Sequence, residues 1–300
     1  MADTVVICIP TFRRPVMLGR LLDAIARLKT EARLCVVVAD NDPEAHAGFN
    51  LCLSLKSYPW PLTAIITAKR GIAEARNALV AEALNTQARF IAMIDDDEWP
   101  QEDWIDQFLA AAQATGADVL QGSILFGHGT AADGHGDIRA ATGPVAMLQG
   151  AGNLLIRRTV LEEMPRPWFD PAFALSGGED RDFFVRLKRA GKRFAWSDEA
   201  RAHGEVPQSR ANLAWLLARA YSIGNSDMLV LLKHRPGAFR LLLELGKITA
   251  SLLLSPLAAV ILAPSPNHRA VPLQKLFRAV GKLGAMAGRR YNEYAVIHGE

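Results

Sequence analysis

Phe90-Ile91-Ala92-Met93-Ile94 runs without a break into Asp95-Asp96-Asp97-Glu98. Five apolar residues followed by four acids read as a strand buried on both faces that stops where a polar site begins. Upstream, Val5-Val6-Ile7-Cys8-Ile9 is a similar run, expected to stop at Pro10. Leu34 to Ala39 is a third, ending in the turn Asp40-Asn41-Asp42-Pro43, and Leu62 to Ile66 is a fourth. Between them, Leu18, Leu21, Leu22, Ile25 and Leu28 recur at helical spacing, and Gly71 opens a helical run from Ile72 to Leu84. Strands alternating with helices predict an α/β fold with a mainly parallel sheet flanked by helices. Ligands in such sheets sit beyond the carboxyl ends of the strands. Thr11 to Arg14, Asp40 to Asp42 and Asp95 to Glu98 all fall at that address.

Past residue 100 the pattern loosens. Helices are expected over Asp103–Ala114, over Glu179–Ala190 with Gly191 as C-cap, and over Asn212–Leu232. The Gly-rich stretch Gly127–Gly143, with His128, Asp133, His135 and Asp137, reads as a surface loop able to act as a lid. No internal repeat is present.

Four adjacent carboxylates repel one another unless a cation sits among them. A hard divalent ion with oxygen ligands, Mg²⁺ or Mn²⁺, suits such a run and can share substrate phosphates. Strand alternation would aim Asp95 and Asp97 the same way. A second acidic step, Glu179-Asp180 after Ser176-Gly177-Gly178, fits the first turn of a helix, by capping, by catalysis or by both.

Taken in order, these segments resemble family 2 glycosyltransferases. Val6 to Arg14 looks like the opening strand and loop of that family, and Val36 to Pro43 like its second strand and acidic turn. Gly71-Ile72-Ala73-Glu74-Ala75-Arg76-Asn77 looks like its Gly-x-x-x-Ala-Arg-Asn helix start. Asp95-Asp96-Asp97 matches the Asp-x-Asp motif, and Gly178-Glu179-Asp180-Arg181-Asp182 the Glu-Asp motif. The matches span residues 5 to about 210. The Asp-Asn-Asp-Pro turn and Glu205-Val206-Pro207 with Arg210 look most like bacterial exopolysaccharide glucosyltransferases of the succinoglycan type.

The resemblance implies a GT-A fold, a nucleotide-sugar donor (most often a UDP-sugar) and inversion at the anomeric carbon. By analogy Asp40 would bond the base, with Pro10, Thr11 and Arg14 nearby. Arg76 would contact the nucleotide or its phosphates. Asp95, Asp96 and Asp97 would hold the ribose and the metal on the diphosphate. Asp180, with Glu179 beside it, would be the general base. Either His203 or Glu205 would complete the metal shell, with Glu205 favoured by the exopolysaccharide pattern. Single displacement needs base and metal carboxylates on opposite sides of the sugar, so they should come from separate chain regions. Asp97 and Asp180, 83 positions apart, meet that demand.

Composition narrows the class further. The chain has 300 residues, 50% hydrophobic and 22% charged, which excludes a disordered protein. Three cysteines form neither a disulfide framework nor a zinc pattern. The first residues lack the basic start of a signal peptide. From Lys233 to Glu300 the net charge is +7 against +3 for the whole chain, leaving −4 for residues 1–232. Ile248 to Ala263 carries no charge but is short for a membrane span and contains Pro256. Leu273, Leu276, Phe277, Val280 and Leu283 then recur at helical spacing among Lys275, Arg278 and Lys282. A basic amphipathic helix of this kind is expected to lie on an anionic membrane surface. Nothing points to nucleic acid.

The expected organisation is a GT-A domain over 1–210, with a donor-binding half (1–100) and an acceptor-binding half (101–210), followed by a basic helical region over 211–300. The expected place is the cytoplasmic face of the inner membrane. The expected acceptor is a polyprenyl-diphosphate-linked oligosaccharide. Two other readings stand beside it. A sugar nucleotidyltransferase would carry a Gly-rich phosphate loop with a lysine after the first strand, which this chain lacks. A silent scaffold of a polysaccharide complex would have no need of Asp97 and Asp180.

Overall fold

The computed structural model describes residues 3–126, 137–205, 212–264 and 266–292. Strands β1 (Thr4–Thr11), β2 (Arg33–Asp40), β3 (Leu62–Ile66) and β4 (Phe90–Met93) pair in parallel in the order β3-β2-β1-β4. Helices α1 (Pro15–Ala26), α2 (Ala47–Ser54) and α3 (Ile72–Leu84) make the crossovers. Alternation along β1 shows why its run is apolar throughout. Val5, Ile7 and Ile9 pack with Leu18, Leu21 and Ile25 of α1, while Val6 and Cys8 pack with Leu79 and Val80 of α3. All three cysteines are free, and burial raises the Cys8 thiol far above its ordinary value.

β1 does not stop at Pro10 but continues to Thr11, opposite Asp40. The Cys8 carbonyl faces β4 and accepts from Ile94 N. Pro10 therefore turns its missing N–H to the same side, where pairing with β4 has already ended at Cys8 and Met93.

The second half of the sheet is mixed. It contains β5 (Glu98–Pro100), β6 (Val119–Leu125), β7 (Gly143–Val145), β8 (Leu154–Arg157) and β9 (Phe194–Gly204). β8 runs antiparallel between β4 and β6, β6 pairs in parallel with β9, and β5 and β7 are antiparallel to β9. Helices α4 (Trp104–Thr115), α5 (Arg158–Glu163) and α6 (Glu179–Arg189) belong to this half. Gly191, at φ +75°, closes α6 as expected. The loop expected over Gly127–Gly143 lies mostly outside the described residues, as does Val206 to Arg210. Its described end is tied down by the Arg139–Asp198 ion pair and by Thr142 donating to Glu199.

Three helices follow: α7 (Leu213–Lys233), α8 (Ala238–Ile261) and α9 (Pro266–Met286). Asn212 caps α7 by accepting from Trp215 N. α7 and α9 meet at small residues, Gly224 against the Arg278 carbonyl and Gly281 against the Tyr221 carbonyl, leaving no room for a Cβ. α8 corrects the sequence reading. The uncharged stretch is part of a 24-residue helix that begins at Ala238 and continues through Pro256. By length and composition it is apolar enough to cross a membrane. The expected lipid-facing residues of α9 are revised in part: Val280 and Leu283 are exposed. Leu273, Leu276 and Phe277 are partly covered, whereas Leu253, Leu254 and Leu257 on α8 are openly exposed.

Candidate active site

The acid run is a tight turn between β4 and β5, closed by Glu98 N donating to the Asp95 carbonyl at 3.1 Å. Strand alternation therefore does not govern it, and Asp95 and Asp97 do not share a partner as expected. Asp95 accepts from Arg76 Nη2 at 3.1 Å. Asp96, buried, accepts from Thr11 Oγ1 at 2.8 Å and from Arg14 Nη1 at 3.0 Å. Asp97 accepts from the same Arg14 nitrogen at 3.2 Å. Burial, aided by Asp97, pushes the Asp96 carboxyl up to about 7.

Arg76 ties this turn to the second acidic step. It projects from the second turn of α3, is 4% exposed, and donates through Nη1 to Glu179 Oε1 while Nη2 holds Asp95. Gly71 sets the start of α3 at φ +139°, where a Cβ would sit 2.5 Å from that of Ala174. Glu179 is buried, and burial lifts its carboxyl to about 7 despite Arg76. Asp180 follows at the first turn of α6, partly exposed, with Oδ1 accepting from Arg181 N at 2.6 Å. Gly150 and Gly152 thread between the two acidic centres. A Cβ on Gly150 would lie 3.6 Å from Asp180 Oδ2, and one on Gly152 would lie 2.6 Å from Glu98 Oε1.

Asp40 is placed differently from a base-binding carboxylate. It is fully buried, with Oδ1 accepting from Asp42 N at 3.0 Å and Oδ2 from Phe49 N at 2.9 Å. It thus shapes the turn and steadies the start of α2. Asn41 closes the same loop by accepting from Gly71 N at 2.6 Å and donating to the Lys69 carbonyl at 2.7 Å. Arg13, beside the loop, pairs with Asp42 and Glu44, and this contact holds the Asp42 carboxyl below its ordinary value. Glu205 lies in one small cleft with Met17, Arg20, Asp96, Asp97 and Trp99, and pairs with Arg20 at 3.0 Å. His203 instead stacks on Trp99 and meets Gln101 at 3.3 Å.

Asp95, Asp96, Asp97 and Glu179 thus share two guanidiniums, Arg14 and Arg76, with Glu98 and Asp180 beside them and Arg20 lining the cleft. Glu98 Oε2 and Glu179 Oε2 are buried with no hydrogen-bond partner. Among the described residues no group of three or more His, Cys, Asp or Glu side chains is arranged to hold a metal. An excess of hard oxygen donors still fits a divalent ion that takes one or two carboxylates and completes its shell with substrate phosphates.

A profile of glycosyl transferase family 2 matches residues 6–163, just over half the chain. The chain belongs to glycosyl transferase family 2. It is a glycosyltransferase with a GT-A fold. The succinoglycan biosynthesis protein ExoM of Rhizobium meliloti (strain 1021) is 32% identical over 225 residues, covering 72% of this chain and 71% of that protein. A mannosyltransferase from Pyrobaculum calidifontis, solved with GDP-Man and Mn²⁺, superposes with a TM-score of 0.63 at 16% identity, covering 97% of this chain and 89% of that one. Residues 1–349 of S. aureus TarS, solved with UDP, superpose with a TM-score of 0.55 at 14% identity, covering 96% and 93%.

The family match ends at residue 163, so Glu179 and Asp180 stand beyond it. Sequence reasoning missed Asn153 altogether, and it quoted Asp182 within the Glu-Asp motif without a role; both hold elements around this family 2 site together. Buried Asn153, at φ +50°, donates to the carbonyls of Ser123 and Ala200 and accepts from Trp104 Nε1, locking β6, β9 and α4 together. Buried Asp182 gathers Arg186, Lys233 and His234, joining α6 to the end of α7. Its place two residues after Asp180 was the only signal available.

Proposed function

We propose that this glycosyltransferase moves a hexose, with inversion at the anomeric carbon, from a nucleotide sugar such as a UDP-hexose to a lipid-linked oligosaccharide. The pathway would be bacterial surface polysaccharide synthesis, on the cytoplasmic face of the inner membrane. The observation that carries this reading is Arg76 bridging Asp95 and Glu179. It joins a donor-side acid turn, at the carboxyl end of the interior strand β4, to a base-side acid step. The likeness to a succinoglycan biosynthesis protein supports the polysaccharide pathway. Neighbours solved with UDP and with GDP-Man support the donor class.

In this reading Asp97 and Asp95 would hold Mn²⁺ or Mg²⁺, with Glu205, on the Asp97 side of the cleft, favoured over His203. Such an ion supplies charge neutralisation to the departing diphosphate. Pro10, Thr11 and Asp40 shape the nucleotide side of the site, and Arg14 fixes Asp96 and Asp97. Residues 1–100 would bind the donor and 101–210 the acceptor. Asp180 takes the proton from the acceptor hydroxyl as it attacks the anomeric carbon. Glu179 contributes by fixing Arg76, and Arg76 in turn fixes Asp95. Gly150 places no side chain beside Asp180, where a Cβ would lie 3.6 Å from its Oδ2.

The test is nucleotide release from a panel of UDP-, GDP- and dTDP-sugars with Mn²⁺ or Mg²⁺ and membrane lipid extract as acceptor. Release from one donor, lost in Asp97→Asn and Asp180→Asn, is expected. Folded protein that releases nucleotide from no donor would sink the reading.

A further inference from the structure

Helix α8 has its polarity reversed for a helix on a protein surface. Phe239, Leu243, Leu254, Leu257, Val260 and Ile261 line its outer face and are 51–75% exposed. Their spacing keeps them on one stripe down the helix, about 36 Å at 1.5 Å per residue. Glu244 is the one acid between Arg235 and Tyr291, and it points inward. There it meets Lys282 of α9 and, at 3.4 Å, Lys247. Ile248 and Ser255, on the inner side, are buried. Exposed cations, Arg240, Lys247, Lys275, Arg278, Arg289 and Arg290, lie on this helix and on α9 with the turn after it. A contiguous exposed apolar stripe rimmed by charged residues marks an interaction or membrane surface.

We propose that the outer face of α8 docks in the plane of an anionic bilayer, with the surrounding lysines and arginines on lipid headgroups. Charge decides between occupants. Among the described residues, two copies joined through this face would bring arginines and lysines together with no outward acid on α8 or α9 to pair them. Anionic headgroups supply the missing charge. Because α9 covers one side of α8, only the other side is open to lipid, which favours lying in the surface over crossing it. The contact also has a rigid link to the site. Ser226 of α7 donates to the Ser176 carbonyl at 3.2 Å, Asp227 pairs with Arg181 at 3.0 Å, and Arg290 donates to the Ala172 carbonyl at 2.9 Å. All three contacts fall on the segment that presents Asp180. This inference rests on the proposed lipid-linked acceptor for its purpose, but not for its test.

Cosedimentation of the full-length chain with vesicles provides that test. Vesicles of about one-third phosphatidylglycerol in phosphatidylcholine should retain at least roughly ten-fold more protein than phosphatidylcholine alone. Leu254→Glu/Leu257→Glu should abolish binding while leaving the melting temperature and donor hydrolysis unchanged, since both side chains are over 60% exposed (63% and 62%). Leu254→Ser/Leu257→Ser gives the same readout if glutamate disturbs packing. Lys275→Glu/Arg278→Glu should remove the preference for phosphatidylglycerol. Full binding by both leucine variants would overturn the proposal. So would a wild-type dimer that ignores vesicles and is split by those variants. Vesicle binding is read without donor or acceptor, so a chain that binds lipid yet transfers no sugar would contradict only the proposed function.

Discussion

Arg76 and Glu179, 103 positions apart, form an ion pair in which both side chains are at most 5% exposed. Such a pair adds little stability over a well-packed apolar one, but breaking it leaves a charge stranded. Its evident benefit is registry: one guanidinium fixes the distance between the acid turn and α6.

Arg76→Leu should therefore destabilise the protein by about 3–5 kcal/mol, because buried Glu179 loses its ion pair with Arg76 and Asp95 loses a donor. Arg76→Leu combined with Glu179→Leu should recover a good part of that loss. Urea unfolding of the two variants checks this. Equal losses in the single and double variants would mean that the pair is not coupled.

Stability without metal should depend on pH in a stated direction. Burial raises Glu179 from 4.5 and Asp96 from 3.8, each to about 7. The folded state then binds more protons than the unfolded state across that interval. Stability from these groups is fully present below the lower values and is lost as pH rises toward about 7. Urea unfolding in chelator at about pH 5, 6, 7 and 8 should show the decline. Glu179→Gln should make it shallower, with Asp96 and Glu98, whose carboxyl burial also raises well above its ordinary value, keeping the remainder.

The N-terminal half was legible in the sequence because each element there carries its own signal. Gly71 marks the start of α3, and Ile72 to Leu84 is its full extent. β2 and β4 are continuous apolar runs ending in acids. The second half was less so. β9 contains Ser197, Asp198, Glu199 and Arg201, and β5 contains Glu98 and Pro100, so neither reads as a strand by alternation. Their pairing links residues about a hundred positions apart, which no local pattern reports. The site divides in the same way. The residue types of Asp95 to Asp97 and Glu179-Asp180 were visible. That Asp96 is the buried one, and that Arg76 is the bridge, follows from the turn and from α3 packing on the sheet.

Gly152→Ala should be costly and Gly150→Ala mild. A methyl at 152 would sit 2.6 Å from a buried Glu98 oxygen, whereas one at 150 makes an ordinary 3.6 Å contact with Asp180. A loss of about 1–3 kcal/mol is expected at 152, and about 0.5 or less at 150. Thermal unfolding distinguishes them. Transfer rate should fall in Gly150→Ala without loss of stability, because the added methyl occupies space beside Asp180.

Asp182→Asn should loosen the junction between α6 and α7. The carboxylate is fully buried with Lys233 Nζ at 2.6 Å, His234 Nε2 at 2.9 Å and Arg186 Nε at 3.0 Å. Removing its charge weakens the hold on Arg186 and His234, while Lys233 keeps Asp170 at 2.7 Å, so a loss of about 1–3 kcal/mol is expected. A lowered or biphasic melt, with hydrogen-exchange protection lost first in α7, is the expected result. An unchanged melt would show that the cluster is not a joint.

The most direct measurement separates the two acidic centres. Titration calorimetry of UDP in the presence of Mn²⁺, on wild type, Asp97→Asn and Asp180→Asn, should be paired with transfer rates on the same samples. Metal-dependent UDP binding should fall at least about ten-fold in Asp97→Asn and stay at the wild-type level in Asp180→Asn. Transfer should fall in Asp180→Asn by about 10²–10⁴-fold. Wild-type transfer by Asp180→Asn, or equal UDP binding with and without Mn²⁺ in all three proteins, would contradict a donor-side metal facing a base at Asp180.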